Sequence, residues 1–219
     1  MAVTIRSVLE RVVGMLEDET STTWTLADLV RYANDGQNDM LVRRPDLFIA
    51  SIEHALAAGW RQNIPTDCTK LVEIDGNAAG TFRSCTKIQR ALLDAQVPGW
   101  RGMTQVLEPE HFMFDDREPQ QFDVYPPAKL GARLFTRCVR RPTPIPAPAP
   151  GATLASLAGD IGVPDEMQGA LQHYVAARCF GEGGESGNLV LAEKHIGLYA
   201  NTLGVEIEAT RAVAPTNTK

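Results

Sequence analysis

Apolar residues recur at Ile5, Val8, Leu9, Val12, Val13 and Leu16, opposite Arg6, Glu10, Arg11 and Glu17. This i, i+3, i+4, i+7 spacing predicts an amphipathic helix over 4–17. After a polar run and Trp24, Thr25 stands where an N-cap belongs, with Asp28 to answer it from the first turn. The second helix carries Leu26, Leu29, Val30, Ala33, Met40 and Leu41 on one stripe and must stop near Arg44, before Pro45. Gly36 inside it costs about 1 kcal/mol relative to Ala, which a close approach of another helix would explain. From Arg61 to Arg141 the period changes to short segments broken by turn formers, and strands are expected over 70–74, 83–91, 121–125 and 132–140. Five prolines between Pro142 and Pro150 then read as a semi-rigid spacer. Beyond it, Asp165 is the expected cap of a helix bearing Met167, Ala170, Leu171, Tyr174, Val175, Arg178 and Cys179. A glycine-rich turn, 181–187, and a last helix over 188–203 stopped by Gly204 complete an antiparallel hairpin. Residues 205–219 are too polar to bury much of themselves and read as a flexible tail.

The expected fold is therefore α+β. It has an N-terminal helical part (1–59) and a C-terminal helical hairpin (160–204). A β-rich unit, sandwich or barrel-like, is inserted at 60–141, followed by the spacer at 142–159. An extended arm at 205–219 ends the chain.

With 219 residues, folding buries roughly 70% of the unfolded surface, and 44% hydrophobic with 22% charged residues is a globular composition. No segment offers a transmembrane span, and Arg6, Glu10 and Arg11 interrupt what would be a secretory leader. A net charge of -6 disfavours sequence-independent phosphate binding. The cysteines Cys68, Cys85, Cys138 and Cys179 have no close pair and read as reduced, mostly buried thiols.

The glycine-rich turn resembles a nucleotide loop but contributes carboxylates where phosphate needs amides and a cation. There is no Walker A lysine, G-x-S-x-G elbow or H-E-x-x-H. The local cluster with catalytic character is His111 with Asp115 and Asp116, although the interleaved Phe112, Met113 and Phe114 fit a partly buried strand or turn better. His54, His173 and His195 lack partners at ligand spacing, the last two as packing residues on helices. Neither a cofactor nor a metal is expected. Charge is more informative. Glu108, Glu110, Asp115, Asp116 and Glu118 face a single base, Arg117, whereas Lys129, Arg133, Arg137, Arg140 and Arg141 lie in a stretch without acids. Two opposite patches on one unit are what a head-to-tail interface between copies requires, unless they neutralise each other within one chain. Residues 160–208 carry eight acids against two bases.

The run from Trp24 through Asn34-Asp35-Gly36-Gln37 to Arg44-Pro45-Asp46 resembles the signature of tailed-phage head-to-tail adaptor (connector) proteins. Further matches follow in order: Gln62-Asn63-Ile64-Pro65, Asp123-Val124-Tyr125-Pro126-Pro127, Val163-Pro164-Asp165-Glu166, Tyr174 and Leu203-Gly204. The resemblance implies that the N- and C-terminal helices join in one bundle with the β-rich unit inserted between them, and that the chain is a non-enzymatic subunit of a ring of roughly twelve copies, bound under the portal of the virus head. In that position it extends the DNA channel and offers the tail or nozzle proteins an attachment surface. Genomic DNA would pass without sequence recognition, no membrane would be involved, and the protein would belong to the virion after assembly in the host cytoplasm. Val205, Glu206, Ile207, Glu208, Arg211 and Lys219 would form a portal-binding arm. Glu182, Glu185 and Glu193 would line the channel and repel phosphates. Two alternatives remain: a tail or stopper ring further from the head, and a small cell-wall or nucleic-acid hydrolase using His111 with Asp115 or Asp116.

Overall fold

A computed structural model describes residues 3–18, 23–182 and 188–205. The chain divides into two compact units, Met1–Leu47 with Pro142–Lys219, and Phe48–Arg141.

In the helical unit, α1 (Ile5–Leu16) is capped by Thr4, whose side chain accepts from Ser7 N–H, and it buries Ile5, Val8, Leu9, Val12 and Val13. Just before it, Val3 and Thr4 pair with the chain returning at Gly159–Ile161, through Ile5 N–H to Gly159 O and Ile161 N–H to Val3 O. α2 (Leu26–Arg43) is capped by Thr25 through Asp28 N–H at 3.2 Å and ends before Pro45, as the sequence dictates. α4 (Gln168–Glu182) is the element on which α1, α2 and α5 (Leu189–Leu203) all pack. Small residues, Ala170, Ala176 and Ala177, bring its neighbours close. A close approach is at Gly36, where a Cβ would lie 2.8 Å from Tyr174 Cδ1 and 2.9 Å from Leu171 Cδ1. Asp165 does not cap α4. A 3-10 turn over Asp165–Met167 leads into the helix, and the Asp165 carboxylate accepts from Val3 N–H at 3.0 Å instead. Asn188 caps α5 through Leu191 N–H, and Gly204 ends it at φ 66°.

The inserted unit begins at Phe48, earlier than the expected 60–141, because β1 (Ile49–Ala55) and β2 (Gly59–Asn63) belong to it. Their sequences alternate too weakly to stand out. A three-stranded sheet runs β1-β7-β3, with β3 at Cys68–Asn77 and β7 at Arg133–Arg140. A four-stranded sheet runs β2-β6-β5-β4, with β4 at Thr86–Lys87, β5 at His111–Met113 and β6 at Gln121–Ala128. All neighbours are antiparallel except β4 and β5. Alternate residues of β7 (Leu134, Thr136, Cys138) point inward, and the core gathers Leu56, Leu71, Phe112, Phe122, Val124 and Leu134 from both sheets.

Two expectations are corrected here. The strand over 83–91 shrinks to Thr86–Lys87, and α3 (Arg90–Gln96) follows, because Arg-Ala-Leu-Leu-Asp-Ala-Gln is a run of helix formers. Its Leu93 joins Trp100 and Met113 in a second small core. Cys68 and Cys138 are not reduced thiols: they form a disulfide between β3 and β7, 70 residues apart in sequence but on adjacent strands. Cys85 and Cys179 are free and buried.

Candidate functional site

The signature residues on and just after α2 lie at the seams of the helical unit. Asn34 faces the proline-rich return segment and reads one residue of it twice. Ile145 N–H donates to Asn34 Oδ1 at 2.8 Å, and Asn34 Nδ2 donates to Ile145 O at 2.9 Å. One turn on, the buried Gln37 accepts from Gly162 N–H through Oε1 and donates from Nε2 to Asn34 Oδ1 at 3.2 Å. The Asn-Asp-Gly-Gln run thus combines two backbone fasteners with the glycine that admits α4. The Pro142–Pro150 segment is accordingly more than a spacer, since Ile145 is buried. Arg44 forks onto Asp46 and also donates to Leu203 O, satisfying a carbonyl at the end of α5. Asp39 accepts from Tyr199 Oη at 2.6 Å and from Arg43 Nε. Burial, with the Asp39 bond next, pushes the Tyr199 hydroxyl pKa upward.

Of the three expected channel acids, Glu182 is engaged. It accepts from Tyr32 Oη at 2.7 Å and pairs with Arg178. Burial first, then this bond, pushes Tyr32 up to about 12. Glu193 is exposed on α5, and Glu185 lies outside the described residues. Of the arm, only Val205 is described, its N–H donating to Ala200 O. Glu206, Ile207, Glu208, Arg211 and Lys219 lie outside the described residues.

The two charged patches of the β unit do not meet each other. Arg133 pairs with Glu53 on β1 at 2.7 Å, Arg137 with Asp75 and Glu73 on β3, and Arg140 with Asp67. The pairs of Arg133 and Arg137 are cross-strand and that of Arg140 reaches the residue just before β3, and they leave Arg141 without an ion-pair partner among the described residues. Of the acids, Glu108 accepts from Thr81 N–H and Oγ1, Asp116 pairs with Lys70 at 2.9 Å, and Asp115 accepts from Arg117 N–H. Glu110 projects exposed before β5.

His111 bonds Thr86 Oγ1 through Nδ1 at 2.6 Å and stacks on Tyr125, while Asp115 and Asp116 hold the partners just named. Among the described residues no group of three or more His, Cys, Asp or Glu is placed to hold a metal ion. Two polar clusters escape sequence reasoning. His173 and His195 meet Nδ1 to Nδ1 at 3.0 Å across the α4–α5 hairpin, with Phe180 stacked on His195. Both are eleven residues from Gly184, so pairing the hairpin about its centre would have found them. Asp123, 2% exposed, lies between Arg90 Nη2 at 2.7 Å and Arg61 Nε at 3.5 Å. Its carboxyl pKa is raised because burial outweighs both arginines. The DVYPP run that contains it gives no sign of these partners.

No described helix is long and apolar enough to cross a membrane. A comparison with individual curated proteins finds no match. At family level the result is clear: residues 3–219, nearly the whole chain, match the SU10 adaptor protein family, and the chain belongs to it.

Proposed function

We propose that the chain is one subunit of a ring, of roughly twelve copies, that binds under a phage portal, extends the genome's channel and presents the tail's attachment surface. The family match over residues 3–219 carries this reading. A phage adaptor is a virion component with a structural role. The fastening of Asn34, Gln37 and Arg44 to Ile145, Gly162 and Leu203 supports that role, because a ring under genome pressure needs stiff subunits.

In the ring, the acidic side of the β unit (Glu108, Glu110, Asp115, Asp116) faces the basic side (Arg133, Arg137, Arg140, Arg141) of the next copy. Glu182, Glu185 and Glu193 border the channel, where their charge keeps DNA from adhering. Arg211, Lys219 and the residues around them reach the portal. Since Arg133, Arg137 and Arg140 already have partners within their own β unit, the contact between copies is less salt-sensitive than bare patches would be. Electron cryo-microscopy of the full-length chain with its phage's portal protein is the test. A closed ring coaxial with the portal is expected, and isolated bound monomers, or a ring with no axial opening, would refute the reading.

A further inference from the structure

The four-stranded sheet ends on β4, which among the described residues pairs with β5 alone. Thr86 and Ile88 turn their N–H groups inward, to Glu110 O at 2.9 Å and Phe112 O at 3.0 Å. Alternation along the strand therefore aims the backbone polar groups of Lys87 outward. Beside this edge lies a cleft of about 570 Å3 lined by residues 87–91 and 113–117, a volume within the range of binding clefts. Its floor is apolar, from Ile88, Met113 and Phe114. Its charged lining includes Lys87, with its Nζ 5.8 Å from the Phe114 ring centre, and Arg117, alongside Asp115 and Asp116. Neither of the two bases has an ion-pair partner among the described residues. Of the cleft's own acids, Asp116 pairs with Lys70 and also lies in the field of Lys87, and Asp115 accepts from Arg117 N–H while keeping its charge; Arg90 is held by Asp123. What fits is an extended segment with one apolar face and one acidic face.

The chain contains such a segment. After Gly204 stops α5, the sequence reads Val205-Glu206-Ile207-Glu208, which as a strand puts both apolar side chains on one face and both carboxylates on the other. We propose that residues 205–208 of a neighbouring copy dock in this cleft against the edge of β4. Val205 and Ile207 lie on the Ile88–Met113–Phe114 floor, and Glu206 and Glu208 meet Lys87 and Arg117. The inference rests on the ring reading for the presence of a neighbour. It leaves residues 209–219 to reach the portal, so that each arm ties two copies together before it leaves the ring. Edge addition supplies backbone hydrogen bonds, and charge supplies the register. One such contact is weak, but repetition around a closed ring multiplies it.

The test is direct binding of a labelled synthetic peptide, residues 204–219, to the full-length chain, read by fluorescence anisotropy. A dissociation constant on the order of 10–100 μM is expected, weakened at least about tenfold by K87E/R117E and by raised salt. A peptide carrying E206K/E208K should bind the K87E/R117E chain and not the original one, and that rescue also shows that the variant is folded. Failure of the peptide to bind, or equal binding to both chains, would overturn the proposal while leaving the ring intact. Absence of a ring on the portal would instead remove the reading on which the neighbour rests, whatever the peptide does.

Discussion

Replacing Asn34 tests whether the signature asparagine acts as a fastener. In Asn34→Ala, Ile145 N–H and Ile145 O both lose their partner, and Gln37 Nε2 loses one at 3.2 Å. Ile145 is 5% exposed, so water replaces neither backbone bond freely. At about 1–3 kcal/mol for each buried group left unpaired, the two together cost about 2–6 kcal/mol. Asn34→Asp is the sharper variant. It keeps the acceptor for Ile145 N–H but sets a carboxylate oxygen against Ile145 O, where the amide nitrogen now sits at 2.9 Å. At neutral pH it should lose about as much as Asn34→Ala. Protonated, its carboxyl donates to Ile145 O again, so its folded pKa is raised above the ordinary unfolded value. The regained stability is complete below that unfolded value, about 3.9, and is lost as pH rises through the raised folded one. Urea unfolding of the original chain and both variants across an acid-to-neutral pH series measures this, with the difference between the original and Asn34→Asp closing toward low pH. An Asn34→Ala cost below about 0.5 kcal/mol, or an Asn34→Asp deficit that does not change with pH, would refute the reasoning.

Gly36→Ala should destabilise the helical unit by about 1 kcal/mol despite its better helix propensity, because the new Cβ meets Tyr174 and Leu171 below 3 Å; thermal unfolding that shows a gain would disprove the tight crossing. Burial lowers the pKa values of both His173 and His195, the neighbouring charge of His173 and Lys194 adding to the shift at His195. The pair therefore stabilises the hairpin above the ordinary histidine value of about 6.5, and this stability is lost as pH falls through the lower folded values. His173→Asn with His195→Asn should flatten that acid slope in chemical unfolding, and an unchanged slope would rule the pair out as its source. Removing the disulfide as Cys68→Ala with Cys138→Ala should cost the β unit about 2–4 kcal/mol, since the bond spans 70 residues of sequence; calorimetry that finds the β unit's transition unmoved would count against that loop-closure account.

Helix ends and stripes were legible because their causes are local. Thr25, Pro45 and Gly204 act through their own backbone, and the stripe of α1 is periodic over twelve residues. Even Gly36 announced a close neighbour without naming it. The strands were read less well. Ile49–Ala55 mixes Ser, Glu and His with its apolar residues, and Gly59–Asn63 is held by its pairing with β6 rather than by its own pattern. What stayed hidden depends on contacts between positions distant in sequence. Cys68 meets Cys138 only because β3 and β7 are adjacent, and Asp123 meets Arg61 and Arg90 from three different elements. The basic run on β7 looked like a bare patch because its partners sit to either side, Glu53 on β1, Glu73 and Asp75 on β3 and Asp67 just before β3.

The central position of α4 also sets the order of events during synthesis. The apolar faces of α1 and α2 are complete when Arg43 leaves the ribosome, yet the helix that covers them begins 125 residues later, at Gln168. At about 5–20 residues per second that is a wait of about 6–25 s. In the interval the whole of Phe48–Arg141 emerges and can close its two sheets, while Ile5, Leu9, Leu29 and Met40 stay uncovered. Asn34 likewise has nothing to hold until Ile145 arrives. The nascent chain therefore carries a finished middle between unfinished ends, and its period of greatest risk of sticking to other chains closes only with the synthesis of α4.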